Sequence, residues 1–422
     1  MPHPSTLTID LDAIARNHAV LRRVLGQSVG LCAVLKADAY GLGAQRLARK
    51  LAGLGLNMIA VYHPHEARDL LKANTGVPIL ILSPAAPIRR DDPLFIALSR
   101  GRVHLTVHDH DSLTNAASTA DTLGTTVPVH IEIDTGIGRA GVRLDHAREI
   151  IERALAHPRL ALAGLSTHFT TADRSAVLTR EQADAFRAAL PETLPPRCVL
   201  HAANSFAAFR DTGLHLNMAR VGLALFGYAG EEFADPSEVE FFDAARDLEP
   251  ACSWTSTLAQ VKRLAPGESV GYGATWRAPD KSEQRGALVG TVPVGYADGL
   301  PLALSSDHDT GAPRARLRLL SPEGDPVEAP IVGRVSMDQT VIDLTEAERR
   351  LIAAPRAGDA VEIIAADRTA PNHLPRLARA AGTITHELLC RLSPAIERRY
   401  TASAPAVEPA PAPRRHGAVT GV

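Results

Sequence analysis

Ala33-Val34-Leu35-Lys36-Ala37-Asp38-Ala39-Tyr40-Gly41-Leu42-Gly43 ends an apolar run that starts at Val29. It closes with one lysine, a small turn-prone segment and then a helical pattern. The pattern reads as a buried strand delivering Lys36 to its C-terminal rim. Burial favours the neutral amine of a lysine, the form that adds to carbonyls. Two roles fit such a residue. It is a Schiff-base lysine holding a carbonyl cofactor or substrate, or an ordinary lysine snorkelling out of a strand end. The rest of the chain has to decide.

Outward from this stretch, residues 29–221 alternate short apolar runs with helix-like segments. Strands are expected at 31–36, 58–62, 78–82, 103–107, 128–133, 161–166, 198–202 and 216–221, and helices at Gln45–Leu54, Glu66–Ala73, Ser112–Leu123, His146–Ala156 and Thr179–Leu190. Near-continuous apolar runs are what parallel strands covered on both faces require. Eight such units in about 200 residues predict a (β/α)8 TIM-type barrel. A doubly wound open sheet is the alternative, but the turn after Lys36 is not a glycine-rich dinucleotide turn.

The character changes after the barrel. Residues 231–249 are charged and irregular, as in a linker, and short alternating runs such as Ser256–Val261, Ala287–Val294 and Val361–Ile364 follow, punctuated by glycine and proline. The expected division is a barrel domain over 1–240, a mainly β C-terminal domain over 241–400 and a disordered tail over 401–422, rich in alanine, proline, arginine and glycine. A formal net charge of −2 suggests no nucleic-acid partner. Cys32, Cys198, Cys252 and Cys390 are too far apart for a zinc spacing or a disulfide framework, and no metal is expected. With no secretory pattern at Met1–Thr6 and no membrane-length apolar run, a soluble cytoplasmic protein is expected.

Active sites of such barrels gather at the C-terminal ends of the strands. There stand Lys36 and Tyr40, then Glu132-Ile-Asp134-Thr-Gly136-Ile-Gly138-Arg139, Thr167-His168-Phe169, His201-Ala-Ala-Asn204-Ser205 and Arg220-Val-Gly222-Leu223. The last two exits carry hydroxyl and glycine residues suited to backbone donors converging on a phosphate. A lysine, a phosphate cradle, an arginine and a histidine together fit pyridoxal phosphate (PLP). Taken singly, His168 is an ordinary rim histidine, Arg220 a structural ion-pair arginine and Asn204-Ser205 a helix cap. Their joint placement on successive strand ends favours the cofactor.

Eight motifs carry a resemblance: AVLKADAYGLG (33–43), IEIDTGIGRAGV (131–142), STHFTTAD (166–173), AANS (202–205), ARVGLALFGY (219–228), VGYGATW (270–276), VPVGYADG (292–299) and GRVSMDQ (333–339). Over residues 7–400 or so the chain resembles the alanine racemases, PLP enzymes with a fold-type III barrel and a C-terminal β domain. The resemblance implies that Lys36 carries PLP and acts as base on one substrate face, and that Tyr272 from the second subunit of a homodimer is the base on the other. It implies that Tyr40, Ser205, Gly222 and Leu223 hold the phosphate, with Asn204 in the same motif. Arg220 would face the pyridine nitrogen, and His168 would tie it to the tyrosine's hydrogen-bond network. Arg139 and the Met337 backbone would meet the substrate carboxylate, with Asp338 in support.

The chemistry suits these residue types. Racemisation removes a proton from one face of Cα and returns it on the other, which two opposed bases do most simply. Neither lysine nor tyrosine is a base at its ordinary pKa, so both have to be shifted. An arginine cannot accept a proton, so it leaves the ring nitrogen a weaker electron sink and restrains transamination.

Four positions depart from the pattern implied by the resemblance. Glu132 replaces a lysine that is carbamylated in many members, and is expected to orient Arg139 directly. His386 replaces a tyrosine that helps bind phosphate and narrows the substrate entrance. Leu302 and Ala395 replace arginines near that entrance. The expected activity is racemisation of alanine, supplying D-alanine for peptidoglycan. A broad-specificity racemase of the same fold is the nearest alternative. A fold-type III decarboxylase is disfavoured because Cys252 and Cys390 lie outside its motif. A PLP carrier without turnover is disfavoured by Tyr272 and the 333–339 segment.

Overall fold

The computed structural model describes residues 3–230, 233–279, 286–321, 324–351 and 353–403. The N-terminal strands are β1 (Thr6–Asp10), β2 (Gly30–Val34), β3 (Met58–Val61), β4 (Ile79–Pro84), β5 (Val103–Val107), β6 (Val127–Asp134), β7 (Val142–Arg143), β8 (Leu160–Ser166), β9 (Val199–His201) and β10 (Met218–Val221). Eight of them run parallel in the order β10-β2-β3-β4-β5-β6-β8-β9, with β7 paired beside β6. The remaining seam closes through two amides: Asn217 N–H donates to Leu200 O at 2.9 Å, and Arg220 N–H to Ala203 O at 2.8 Å. The expected (β/α)8 barrel is the fold.

Strand register decides which side chains face inward. Ladder partners share a face, so the pairs Arg220↔Cys32, Cys32↔Met58, Leu80↔His104, Thr106↔His130 and His130↔Gly164 trace one lining around the lumen. Cys32, Val34, Met58, Ala60, Leu80 and Met218 form its apolar part. The alternate residues, among them Leu31, Ala33, Ile59, Val61, Ile79, Leu105 and Ile131, pack outward in the larger core that includes the helix layer. Runs that look uniformly apolar therefore have two different faces. Three histidines and an arginine point into the lumen.

The first strand was not expected. In Thr6–Asp10, Leu7 and Ile9 are fully buried and alternate with half-buried residues, the pattern of a strand with one packed face. Its partners lie at the far end of the chain. The C-terminal domain has β11 (Cys252–Thr257), β12 (Gln260–Leu264), β13 (Ser269–Val270), β14 (Trp276–Arg277), β15 (Ala287–Val292), β16 (Arg316–Ser321), β17 (Gly324–Pro330), β18 (Thr340–Asp343), β19 (Ala360–Ile364) and β20 (Glu397–Thr401). β1 completes its sheet, antiparallel to β11 and parallel to β20, in the order β17-β16-β19-β11-β1-β20. A division at residue 240 thus leaves the first strand on the wrong side. The cause is a pairing some 250 to 390 residues distant, which local patterning does not register.

Asp10 then caps the helix Leu11–Leu25, its Oδ1 accepting from Asp12 N–H and Ala13 N–H. The stretch expected as a linker is a packed connector. Phe241 N–H donates to Phe209 O at 2.9 Å, Val239 is buried, and a short helix spans Phe242–Arg246. Thr401 ends β20, so the strand enters the expected tail, and residues 404–422 lie outside those described.

Candidate active site

Lys36 stands just beyond β2, and the chain after it turns left-handed. Ala37, Asp38, Ala39 and Tyr40 have φ of 51°, 53°, 56° and 59°. Each such L-residue costs about 1–2 kcal/mol, and such strain is typical of functional sites. Tertiary contacts hold the turn. Glu66 Oε1 accepts from Ala37 N–H at 2.5 Å and Asp38 Oδ1 from Ala44 N–H at 2.7 Å. From the C-terminal domain, Arg398 Nε donates to Gly41 O at 3.1 Å and Tyr400 Oη to Leu42 O at 3.0 Å.

The result is a lysine that is largely buried, with no hydrogen bond or ion pair to Nζ among the described residues. Its pKa falls, first through burial, then through Arg139 and Arg220. The free amine needed for addition to a carbonyl is thereby favoured. Cys390, which the sequence did not single out for the site, lies close enough to act electrostatically on Lys36 and Tyr40. Burial pushes its thiol up.

Arg220 is buried at the lumen's upper end. Its Nη1 donates to His201 Nδ1 and to His201 O, both at 2.7 Å, and Nη2 to Thr167 O at 2.8 Å. His168 Nδ1 lies 3.4 Å from Nη2. Among the described residues only Nε–H lacks an acceptor. Burial and the neighbouring cations Arg220, Arg139 and Lys36 push His168 down to about 3, so it is neutral. With Nδ1 toward a guanidinium, His168 carries its proton on Nε2.

The exits of β9 and β10 build a cradle. Asn204 Oδ1 caps the helix Ser205–Arg210 through Phe206 N–H and Ala207 N–H, so the capping role noted in the sequence is present. Ser205 Oγ accepts from Gly222 N–H and Ala224 N–H at 3.2 Å each. Gly222 lets Tyr40 approach: a Cβ there would lie 2.3 Å from Tyr40 Oη. Beside it, His386 comes from the C-terminal domain with its ring centroid 5.8 Å from Tyr40's. His386 Nδ1 is buried without a partner, and burial with nearby Lys36 pushes its pKa down to about 4. An orphaned imidazole nitrogen, the Tyr40 hydroxyl, the Ser205 hydroxyl and the turn at Gly222 adjoin one another, with Gly222 N–H held by Ser205 Oγ and the Ser205 O–H left to donate. That donor set suits a phosphate.

Glu132 shares the inward face, being paired with Ser166 one layer above His130. Its carboxylate supports the positive charge of Arg220. No hydrogen bond or ion pair joins it to Arg139, which is exposed on the loop after β6. That loop is shaped by Asp134, whose carboxylate accepts from Gly136 N–H and Gly138 N–H.

Among the described residues no contact brings Tyr272 or Met337 to Lys36. Both are exposed, at 70% and 55%, on adjoining loops of the C-terminal domain. A Cβ on Gly271 would meet Arg334 N at 3.3 Å, while Tyr296 N–H donates to Ser336 O and Ala297 N–H to Met337 O. Tyr272, Tyr296, Leu302 and Met337 thus lie on one side of this domain with apolar side chains exposed, and Asp338 is exposed beside them. Leu302 lines an open cleft of about 370 Å³ with Tyr296 and Arg391. His104 and His130 were missed by the sequence. Their only signal is parity with the inward residues of their strands.

Residues 9–230 match the alanine racemase N-terminal domain and residues 251–400 the alanine racemase C-terminal domain. Among curated proteins, the alanine racemase of Cutibacterium acnes is 34% identical over 405 residues, covering 94% of this chain and 98% of that one. The solved alanine racemase of D-cycloserine-producing Streptomyces lavendulae superposes with a TM-score of 0.80 at 29% identity, over 96% and 98% of the two chains. That of Bartonella henselae, with covalently bound pyridoxal phosphate, shares the fold at a TM-score of 0.75 and 23% identity, over 95% and 100%.

Proposed function

The chain belongs to the alanine racemase family and is an isomerase, and from that premise we propose that it binds PLP at Lys36 and interconverts L- and D-alanine with two bases in a homodimer. The observation that carries the reading is the set of unpartnered groups around one space. Lys36 Nζ stands free, Arg220 presents Nε–H, and a phosphate cradle closes the far side with His386 Nδ1 orphaned at its edge. An aldehyde, a ring nitrogen and a phosphate in one small molecule would satisfy all three. The Bartonella enzyme of this fold holds that molecule covalently.

When bound, PLP supplies an electron sink that acidifies the substrate's Cα–H. The rest falls to side chains. Lys36, with its pKa lowered, takes or gives a proton at Cα on its face. Arg139 supplies positive charge at the mouth for the substrate carboxylate and the cofactor oxygen. Glu132 balances Arg220 in the lumen, an anion that needs no carbamylation.

Tyr272 is proposed to act on the opposite face in the partner subunit. His168 Nε2–H, turned outward by Arg220, is the donor available to meet it. The exposed patch of Tyr272, Tyr296, Leu302 and Met337 supports such an interface, since exposed apolar clusters mark association surfaces. The Met337 backbone would reach the substrate carboxylate across it. A cytoplasmic place and a supply of D-alanine for peptidoglycan follow from this reading.

Incubation with PLP and L-alanine in heavy water tests it. Loss of the α-proton together with appearance of D-alanine is expected. Exchange with retained L configuration would leave a single working base and overturn the two-base reading, and no exchange despite bound PLP would overturn the activity. The open cleft at Leu302 favours a second reading, in which larger amino acids are also accepted. The same assay with serine, arginine and lysine decides breadth.

A further inference from the structure

Three histidines cross the barrel lumen beneath Arg220. His201 Nε2 lies 2.8 Å from His130 Nδ1, His130 Nε2 lies 2.9 Å from His104 Nδ1, and His104 Nε2 lies 3.2 Å from Gly101 O. Arg220 Nη1 closes the upper end on His201 Nδ1 at 2.7 Å. The two ends fix every proton between them. A guanidinium only donates, so His201 Nδ1 accepts and its proton sits on Nε2. His130 Nδ1 therefore accepts, and His130 donates from Nε2 to His104 Nδ1. His104 then donates from Nε2 to a carbonyl, which only accepts. The chain has one polarity and one tautomer per ring.

A second proton on His201 or His130 would set two N–H groups against each other. Burial keeps both rings neutral, and His104 is held down to about 4. The charged groups that act on this line are Arg220 above it and, through Arg220, Glu132 and Arg139.

The strand beside the chain is built around it. Gly164 has an ordinary strand position, yet a Cβ there would lie 2.3 Å from His130 Nδ1 and 2.9 Å from Val199 O. Glycine is needed at that point to leave room for the His130–His201 hydrogen bond.

We propose that His201, His130 and His104 form a one-way hydrogen-bond chain that locks Arg220 as a donor with Nε–H fixed toward the cofactor's ring nitrogen, so that His130, far from the reacting atoms, is a positioning residue for reaction specificity. This role rests on PLP binding as proposed above. With both Nη groups held by fixed acceptors, Arg220 cannot turn, and no group in the chain can hand a proton to the ring nitrogen. An unprotonated ring is a poorer electron sink, which favours proton return to Cα over transamination.

Neutron diffraction from deuterium-exchanged crystals reads the chain directly. Deuterium is expected on Nε2 and absent from Nδ1 in all three histidines, and deuterium on any Nδ1 overturns the proposal. His130→Leu and Gly164→Ala, which break the chain in different ways, test the role. In both, the ratio of PLP converted to pyridoxamine phosphate per racemisation turnover should rise roughly tenfold, the scale of one weakened charged hydrogen bond. His104→Gln, which keeps an acceptor for His130 Nε2–H, should stay nearer the parent ratio than His104→Leu. An unchanged ratio in folded His130→Leu and Gly164→Ala proteins overturns the role. Failure to bind PLP or to racemise would sink the proposed function instead, while the deuterium pattern would still decide the chain.

Discussion

Gly222→Ala is the sharpest probe of the cradle. The residue has φ of −124°, outside the left-handed region, so the variant adds a methyl group without forcing a positive φ on alanine. That methyl carbon would lie 2.3 Å from Tyr40 Oη and 2.9 Å from its Cζ. Tyr40 has little room to retreat. It is 6% exposed, with its ring edge-on to Phe226 at 5.3 Å. Overpacking of this kind costs about 1–3 kcal/mol. If the strain is relieved by moving the Tyr40 hydroxyl or the 222–223 amides out of the cradle, the cost falls on phosphate binding, a loss of roughly 5–150-fold in PLP affinity. Titration of the apo chain with PLP, followed by absorbance, measures it. Pyridoxal, which lacks the phosphate, serves as the control. The expected result is a marked loss for PLP and a small one for pyridoxal. Unchanged PLP affinity, or equal losses for both, would refute the cradle.

Tyr272→Phe should keep PLP bound and lose racemisation alike in both directions, since the two enantiomers are equally stable, while α-proton exchange into heavy water survives from one enantiomer only; proton NMR with each enantiomer checks it. Equal loss of α-proton exchange from L- and D-alanine would count against a second base. Deleting residues 1–10 removes Leu7 and Ile9, each fully buried, and leaves β11 and β20 without their shared neighbour. At about 1.5–3 kcal/mol per side chain the unfolding free energy should drop by at least about 3 kcal/mol, and an unchanged melting temperature would deny β1 its place. His104, His130, His168, His201 and His386 all have pKa values lowered by burial, His104 and His386 to about 4. The unfolded chain binds more protons between that value and the ordinary histidine pKa of about 6.5. Stability is therefore full above about pH 6.5 and is lost as pH falls toward 4, so denaturant unfolding should show a weaker fold at pH 5 than at pH 7. Equal stability at the two values would contradict neutral burial.

The sequence by itself determined the barrel and the strand exits. A parallel strand buried on both faces must be apolar throughout, and its end must be marked by a polar group or a turn. Lys36, His168, Asn204-Ser205 and Arg220 follow runs of that kind, so they were legible as one rim. Tyr272 and Met337 were reached only through resemblance, because an exposed loop residue has no burial pattern of its own. The tertiary structure alone decided what spans long separations or depends on register. It moved β1 into the far sheet, put the Glu132 carboxylate within electrostatic reach of Arg220, did the same for Cys390 and Lys36, and aligned three histidines under the arginine. Local chemistry fixes what a strand can bury, whereas which neighbour it meets is fixed by hydrogen-bond register across the closed sheet, and a one-residue slip of any one of those three strands would turn its histidine outward.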